Sequence, residues 1–172
     1  MNQMQFFLIV SFTLVLASCE IKVKTNNEPK AEELGSTEKM RNNIQIQKKG
    51  LNVSQAYLQY EDGKLLPADN RIELKQTVKM KLLINGWKEE NGKVYIGGSE
   101  TIKTNTGDTL LHSEDLFAEY LGGVSPVDAK ILSLSAVVNN IDSLYDYFLV
   151  SFHLWDKKGT GEINGSYKLY LK

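Results

Sequence analysis

The sequence predicts an all-β chain, an antiparallel β-sandwich of about eight strands with one short helical turn. Three observations predict it. From Leu51 onward, apolar residues recur at every second position, the period of a strand with one buried face. Asp62-Gly63 and Asn91-Gly92 punctuate those runs, and such pairs tolerate the positive φ of tight hairpins. No stretch carries the three-to-four-residue repeat of a long amphipathic helix.

Taken in order, the chain begins with something other than a strand. Phe6 to Ala17 is apolar apart from Ser11 and Thr13. About a dozen residues is too few to cross a bilayer, which needs ~20. It is the length of a signal-peptide core, although Met1 to Gln5 lacks the usual Lys or Arg. Residues 20–49 then hold five acidic and seven basic side chains with scattered apolar ones. Such a stretch buries too little apolar surface to offset an ordering cost of ~1–2 kcal/mol per residue. The expected organisation is a leader over 1–18, a flexible tether over 19–49 and a sandwich over 50–172.

Within the sandwich, Val78, Met80, Leu82 and Ile84 alternate with Lys79, Lys81, Leu83 and Asn85. Leu132, Leu134, Ala136 and Val138 alternate with Ile131, Ser133, Ser135 and Val137. Phe148, Val150, Phe152 and Leu154 form one face of a run whose other face is Tyr147, Leu149, Ser151, His153 and Trp155. Tyr167, Leu169 and Leu171 close the series. Strands are expected near 51–60, 71–75, 77–87, 93–97, 100–104, 130–138, 145–155 and 165–171. A helical turn is expected over Ser113 to Tyr120, with Ser113 as its cap and Leu116, Phe117 and Tyr120 on its inner face.

Composition bounds the function. The 172 residues carry a formal net charge of −1, so no basic excess points to nucleic acid. The only cysteine is Cys19, so no disulfide staples the domain. A sandwich of ~120 residues buries roughly two-thirds of its unfolded surface and holds by its core alone.

Leu16-Ala17-Ser18-Cys19 resembles the lipobox of bacterial lipoproteins. The resemblance implies cleavage before Cys19, a diacylglycerol on its sulfur and a further acyl chain such as palmitate on the new amine. Two or more chains hold a protein on a membrane stably, where one holds it only marginally. The protein is then expected to be exported and lipid-anchored at the bacterial cell envelope, on the outer membrane. Further along, Asn85-Gly86-Trp87, Asn91-Gly92-Lys93-Val94-Tyr95, Asp115-Leu116-Phe117, Leu132-Ser133-Leu134-Ser135 and Leu154-Trp155-Asp156-Lys157-Lys158-Gly159 resemble uncharacterised bacterial lipoproteins. That resemblance implies an immunoglobulin-like sandwich and brings no catalytic residues with it.

No catalytic or metal constellation is visible. His112 and His153 lie in no metal-ligand spacing, no Gly-x-Ser-x-Gly turn exists, and no cofactor motif occurs. Asp142 and Asp146 could share one end of a strand, but Asp156 lies ten residues beyond Asp146, some 30 Å at ~3.3 Å per residue, so one calcium ion cannot use all three. Asn52-Val53-Ser54 and Asn164-Gly165-Ser166 match a glycosylation pattern that belongs to another secretory context.

Aromatic residues remain as the candidate site. Tyr147, His153 and Trp155 share the second face of one strand, and Trp87 and Tyr95 bracket a hairpin. Exposed rings in such places stack on sugars or anchor a protein; if that second face is covered, the rings are a second layer of core, which is the reading favoured for the strand. The expected function is a non-catalytic module binding carbohydrate or an envelope protein. The rival is an assembly role in which a sheet edge or the Leu116/Phe117/Tyr120 turn docks on another protein, and a hydrolase with dispersed acids stands behind both.

Overall fold

Ten strands form two packed sheets in the computed structural model, which describes residues 39–139, 141 and 144–172. The strands are β1 (Lys39–Met40), β2 (Gln45–Lys49), β3 (Asn52–Tyr60), β4 (Arg71–Ile72), β5 (Thr77–Asn85), β6 (Ile96–Thr104), β7 (Thr109–Ser113), β8 (Ile131–Val137), β9 (Phe148–Asp156) and β10 (Glu162–Leu171). One sheet runs β1-β3-β5-β8. The other runs β2-β10-β9-β6-β7, with β4 beside the far end of β10. The all-β sandwich expected from the alternating pattern is therefore the fold. β3-β5-β8 facing β10-β9-β6-β7, all antiparallel, occupy the A-B-E and G-F-C-C′ places of an immunoglobulin-type sandwich.

The core follows from period two. Val78, Met80, Leu82 and Ile84 of β5 meet Leu132, Leu134 and Ala136 of β8 on one side and Val150, Phe152 and Leu154 of β9 across the gap, all buried. Phe148, Ile163, Tyr167 and Leu169 complete the β9–β10 part of that layer.

Several expectations are corrected. The tether does not run to residue 49. β1 pairs in parallel with β3, and β2 pairs antiparallel with β10 from Glu162 to Ser166. Ile44 is buried and Ile46 half-buried, alternating with the exposed Gln45 and Gln47, so this polar-looking stretch is an edge strand with one apolar side. The sandwich thus begins by Lys39, and the leader, Cys19 and the rest of the tether lie outside the described residues.

The strands expected at 93–97 and 100–104 are one strand, β6. Gly98 and Ser99, left between the two expected strands, are ladder positions like Gly97 before them. A Cβ on Gly97 would lie 2.1 Å from the Trp155 ring, and one on Gly98 would lie 2.7 Å from that of Phe117. Strand β7 lies where no strand was expected, because its side chains are mostly exposed and show no buried alternation.

The helical segment is at Asp128–Lys130, a single 3-10 turn. Leu116 to Glu119 form turns closed by Ala118 N to Asp115 O and Tyr120 N to Phe117 O. The capping side chain there is Asp115, whose Oδ1 accepts from Phe117 N at 2.9 Å, and not Ser113, which ends β7. The tight Asn91-Gly92 turn is present, with both residues at positive φ and paired bonds between Glu90 and Lys93.

A buried bracket locks the first segment to the sandwich. Asn42 Nδ2 donates to Leu66 O, Pro67 O and Asn70 Oδ1, and its Oδ1 accepts from Leu58 N. Asn70 Nδ2 donates to Asn42 O and Lys168 O. Both residues sit at positive φ, which Asn tolerates better than other side chains with a Cβ.

Candidate functional site

Strands β2, β10, β9, β6 and β7 present an outer face whose composition the register dictates. One cross-strand row is Lys49, Glu162, Trp155 and Gly97; the next is Gln47, Asn164, His153 and Ser99. A third is Gln45, Ser166, Ser151, Thr101 and His112, and a fourth is Lys168, Leu149 and Lys103. Amides, hydroxyls and imidazoles therefore fill the middle of the face. Amides and hydroxyls offer both donors and acceptors.

Aromatic rings bound this polar field at its two ends. Trp155 lies flat on the backbone of Gly97, because only a residue without Cβ leaves that space. Its ring is 5.0 Å from that of His153. At the other end Tyr147 packs edge-on against Tyr170, 6.4 Å between centroids, and Lys168 Nζ sits 3.7 Å over the Tyr147 ring. Trp155 lies eight positions after Tyr147 along the extended chain, ~26 Å at ~3.3 Å per residue. Tyr147, Leu149, Ser151, His153 and Trp155 are all half-buried, so this face is neither a second core nor fully solvated. The covered second layer favoured on sequence grounds is thus corrected: no described element lies across it.

The charges are placed unevenly. Glu162 pairs with Lys49 at 3.2 Å, and its Oε2 lies 3.5 Å from His153 Nε2, an ion-pair distance rather than a hydrogen bond. The Lys49 contact leads the causes that hold the Glu162 carboxyl below its ordinary range. Beyond Trp155, Asp115 meets Lys157 at 2.6 Å. Burial works against ionisation of Asp115, but the Lys157 hydrogen bond and the amides of Phe117 and Gly98 together outweigh it and keep its pKa low. His112 Nδ1 lies 2.9 Å from Thr101 Oγ1 on the same face.

The structure thus brings Tyr147, His153 and Trp155 onto one face and sets Tyr95 and Trp87 apart. Tyr95 O accepts from Lys157 N, one row beyond Trp155, and Lys158 Nζ stands 5.2 Å over its ring. Trp87 packs against the core and its Nε1 donates to Ala129 O at 3.0 Å. Its polar atom is spent on fold closure and its ring packs on the core, away from the Trp155 face. The turn offered as a docking element is also spent inward, with Phe117 buried and Leu116 and Tyr120 packed on the core.

Sequence reasoning missed Gln45, Gln47, Asn164, Ser99 and Thr101 as parts of a site. The signal was available for Gln45 and Gln47 in the alternation of Ile44 and Ile46. Among the described residues, no group of three or more His, Cys, Asp or Glu is placed to hold a metal ion. Asp142 lies outside them. Asp156 is a structural turn holder: its carboxylate accepts from the backbone N–H groups of Lys88, Lys158 and Gly159.

No protein-family model matches this chain, and no curated protein does. Among solved structures, the C-terminal domain of Wzt aligns with a TM-score of 0.46 and 16% sequence identity, over 77% of this chain and 80% of that one.

Proposed function

We propose that this protein is a non-catalytic, lipid-anchored module of the bacterial cell envelope that binds an extended glycan along the outer face of β2-β10-β9-β6-β7. The single observation that carries the binding reading is the face itself: rows of amide and hydroxyl side chains between Trp155, pressed flat on Gly97, and the Tyr147–Tyr170 pair. Sugars present vicinal hydroxyls at their edges and C–H groups on their faces. Paired donors and acceptors serve the first and an aromatic plane serves the second. A length of ~26 Å suits several consecutive sugars rather than one.

The anchor reading rests on Leu16-Ala17-Ser18-Cys19 and the apolar run before it. Palmitate labelling of the expressed protein tests it, with loss of label and release from the membrane fraction expected for Cys19→Ala.

Calorimetric titration of the purified protein against soluble polysaccharides tests the glycan reading. Trp155→Ala is expected to weaken binding by roughly tenfold or more, as removal of an aromatic anchor does. Gly97→Val should match it, because the new side chain displaces the indole from its bed. Trp87→Ala should cost stability and leave affinity per folded molecule unchanged. Binding undisturbed by Trp155→Ala would remove the face from consideration.

A further inference from the structure

One end of this face carries a built cleft. Strand β2 runs along the edge of β10 only from Glu162 to Ser166, and β4 takes up the same edge at Tyr170 and Leu171. The gap between the two short strands opens a cavity of about 500 Å³ lined by Asn43, Gln45, Asp69, Arg71, Lys168 and Tyr170, among others. That volume lies within the ordinary range of small-ligand sites. Its wall is held by the buried Asn42–Asn70 bracket, and Asn70 fixes the backbone of Lys168 itself through Nδ2. The cleft is therefore shaped before any ligand arrives.

Its charge is cationic. Arg71 and Lys168 line it against one acid, Asp69, and Asp69 already uses Oδ1 on the Arg71 amide. Arg71 Nη1 donates to Leu171 O, and its Nε is 4.0 Å from Asp69 Oδ2, which leaves other guanidinium donors for a ligand. Lys168 rests on the Tyr147 ring and has no carboxylate at ion-pair distance among the described residues. Lys103, across Leu149 in the same row, has none either. Asp146 stands at the start of that strand, tied to Asn105 by two hydrogen bonds. At the Trp155 end, by contrast, Lys49, Lys157 and Lys158 are matched by Glu162, Asp115 and Glu90. The cleft thus sets Lys168, which has no carboxylate at ion-pair distance among the described residues, beside Arg71, whose acid neighbour is Asp69.

Resting on the glycan reading, we infer that the cleft is the subsite for an acidic residue of that chain, one carrying a carboxylate or a phosphate ester. The guanidinium of Arg71 matches either anion in a planar fork, and the Lys168 ammonium supplies a second charge. The remaining sugars extend from there across Gln45, Ser166 and Asn164 toward Trp155.

The test titrates the full chain with polygalacturonate, a phosphomannan and a neutral glucomannan at low ionic strength. At least one acidic polymer is expected to bind on the order of tenfold tighter than the neutral one, since exposed charge pairs contribute little singly. Added salt should shrink that advantage. Which acidic polymer wins assigns the carboxylate or the phosphate. The Arg71→Gln/Lys168→Gln double variant, altered only at exposed side chains, should lose the preference for the acidic polymer over the neutral one, with an unchanged circular-dichroism spectrum. A preference that survives in the double variant overturns the inference. Equal binding of all three polymers by the unaltered protein overturns it too while leaving the glycan reading standing. Absence of binding to every polymer overturns both.

Discussion

Two buried polar clusters in this sandwich are built on opposite principles. Around Asn42 and Asn70, every side-chain donor and acceptor has a partner, and those bonds tie the first described segment to β3, to the Leu66–Pro67 turn and to β10. Around Glu100 and Tyr167, Glu100 Oε1 and the Tyr167 hydroxyl are both buried with no hydrogen-bond partner. Glu100 is 2% exposed and Tyr167 likewise 2%. The first cluster determines where a segment sits. The second stores a cost that depends on protonation, because a buried carboxyl is tolerable only while it is neutral.

The largest expected effect tests that second cluster through pH. Burial pushes the Glu100 pKa from 4.5 to about 8, and the nearby carboxyl in turn adds to the burial that raises the Tyr167 phenol. Its folded pKa is above its unfolded one, so the folded state holds the proton more tightly. The stability this gives is fully present below pH 4.5 and is lost as pH rises through about 8. At ~1.4 kcal/mol per pKa unit the loss is roughly 4–5 kcal/mol. Urea denaturation at a series of pH values should show the decline, and Glu100→Gln should flatten it. Asp115 does not confuse the reading: its folded pKa is depressed, so its contribution is present above the ordinary aspartate value of 3.8 and is lost only at more acid pH. A stability curve level from pH 5 to 9 would place Glu100 in a solvated or paired setting and erase the contrast.

Next in size is the satisfied cluster. Asn42→Ala removes the acceptor for Leu58 N and the donor for Asn70 Oδ1, Leu66 O and Pro67 O at once. It also puts alanine at φ 56°. Buried groups left without partners cost ~1–3 kcal/mol each, so a total loss of about 3 kcal/mol is expected, read as a lower denaturation midpoint with little change in slope. Limited proteolysis should then cut first within residues 39–49. A loss below about 1 kcal/mol would mean that β2 holds itself on β10 without the bracket.

How much of this was legible depended on whether a residue's local pattern and its tertiary setting agreed. β5, β8 and β9 could be read from the chain because their alternation is set by their own apolar residues, and the sandwich followed. β2 could not, because Gln45, Gln47, Lys48 and Lys49 look solvated and its pairing depends on an edge supplied by β10, more than 110 positions later. The expected strands at 93–97 and 100–104 were parted at Gly98 and Ser99, because the fit of Gly97 and Gly98 depends on Trp155 and Phe117, which occupy the space their side chains would fill. Of the candidate site, Tyr147, His153 and Trp155 were visible as one face of one strand. Gln45, Asn164, Ser99 and Arg71 join them only through cross-strand register and a shared edge. Glu100 was passed over although period two along β6, with Ile102 and Thr104 also inward, points it into the core.

The smallest expected effect sharpens the comparison from outside the core. Asp115 and Lys157 meet at 2.6 Å, shorter than any bond in the Asn42–Asn70 bracket, yet their side chains are 25% and 32% exposed. Distance alone would rank this contact first. Solvent screening and the entropy of holding a long lysine rank it last, at about 0.5 kcal/mol. Lys157→Gln removes the ammonium from Oδ2 and leaves Oδ1 with its bonds from Phe117 N and Gly98 N, so the turn after β7 should persist. The measurable change is then a small drop in midpoint that vanishes in high salt and, because Asp115 loses a contact favouring its ionised form, an acid limb shifted toward higher pH. A salt-independent loss approaching that of Asn42→Ala would show that Lys157 acts through the packing of its methylenes against neighbouring apolar surface rather than through its charge.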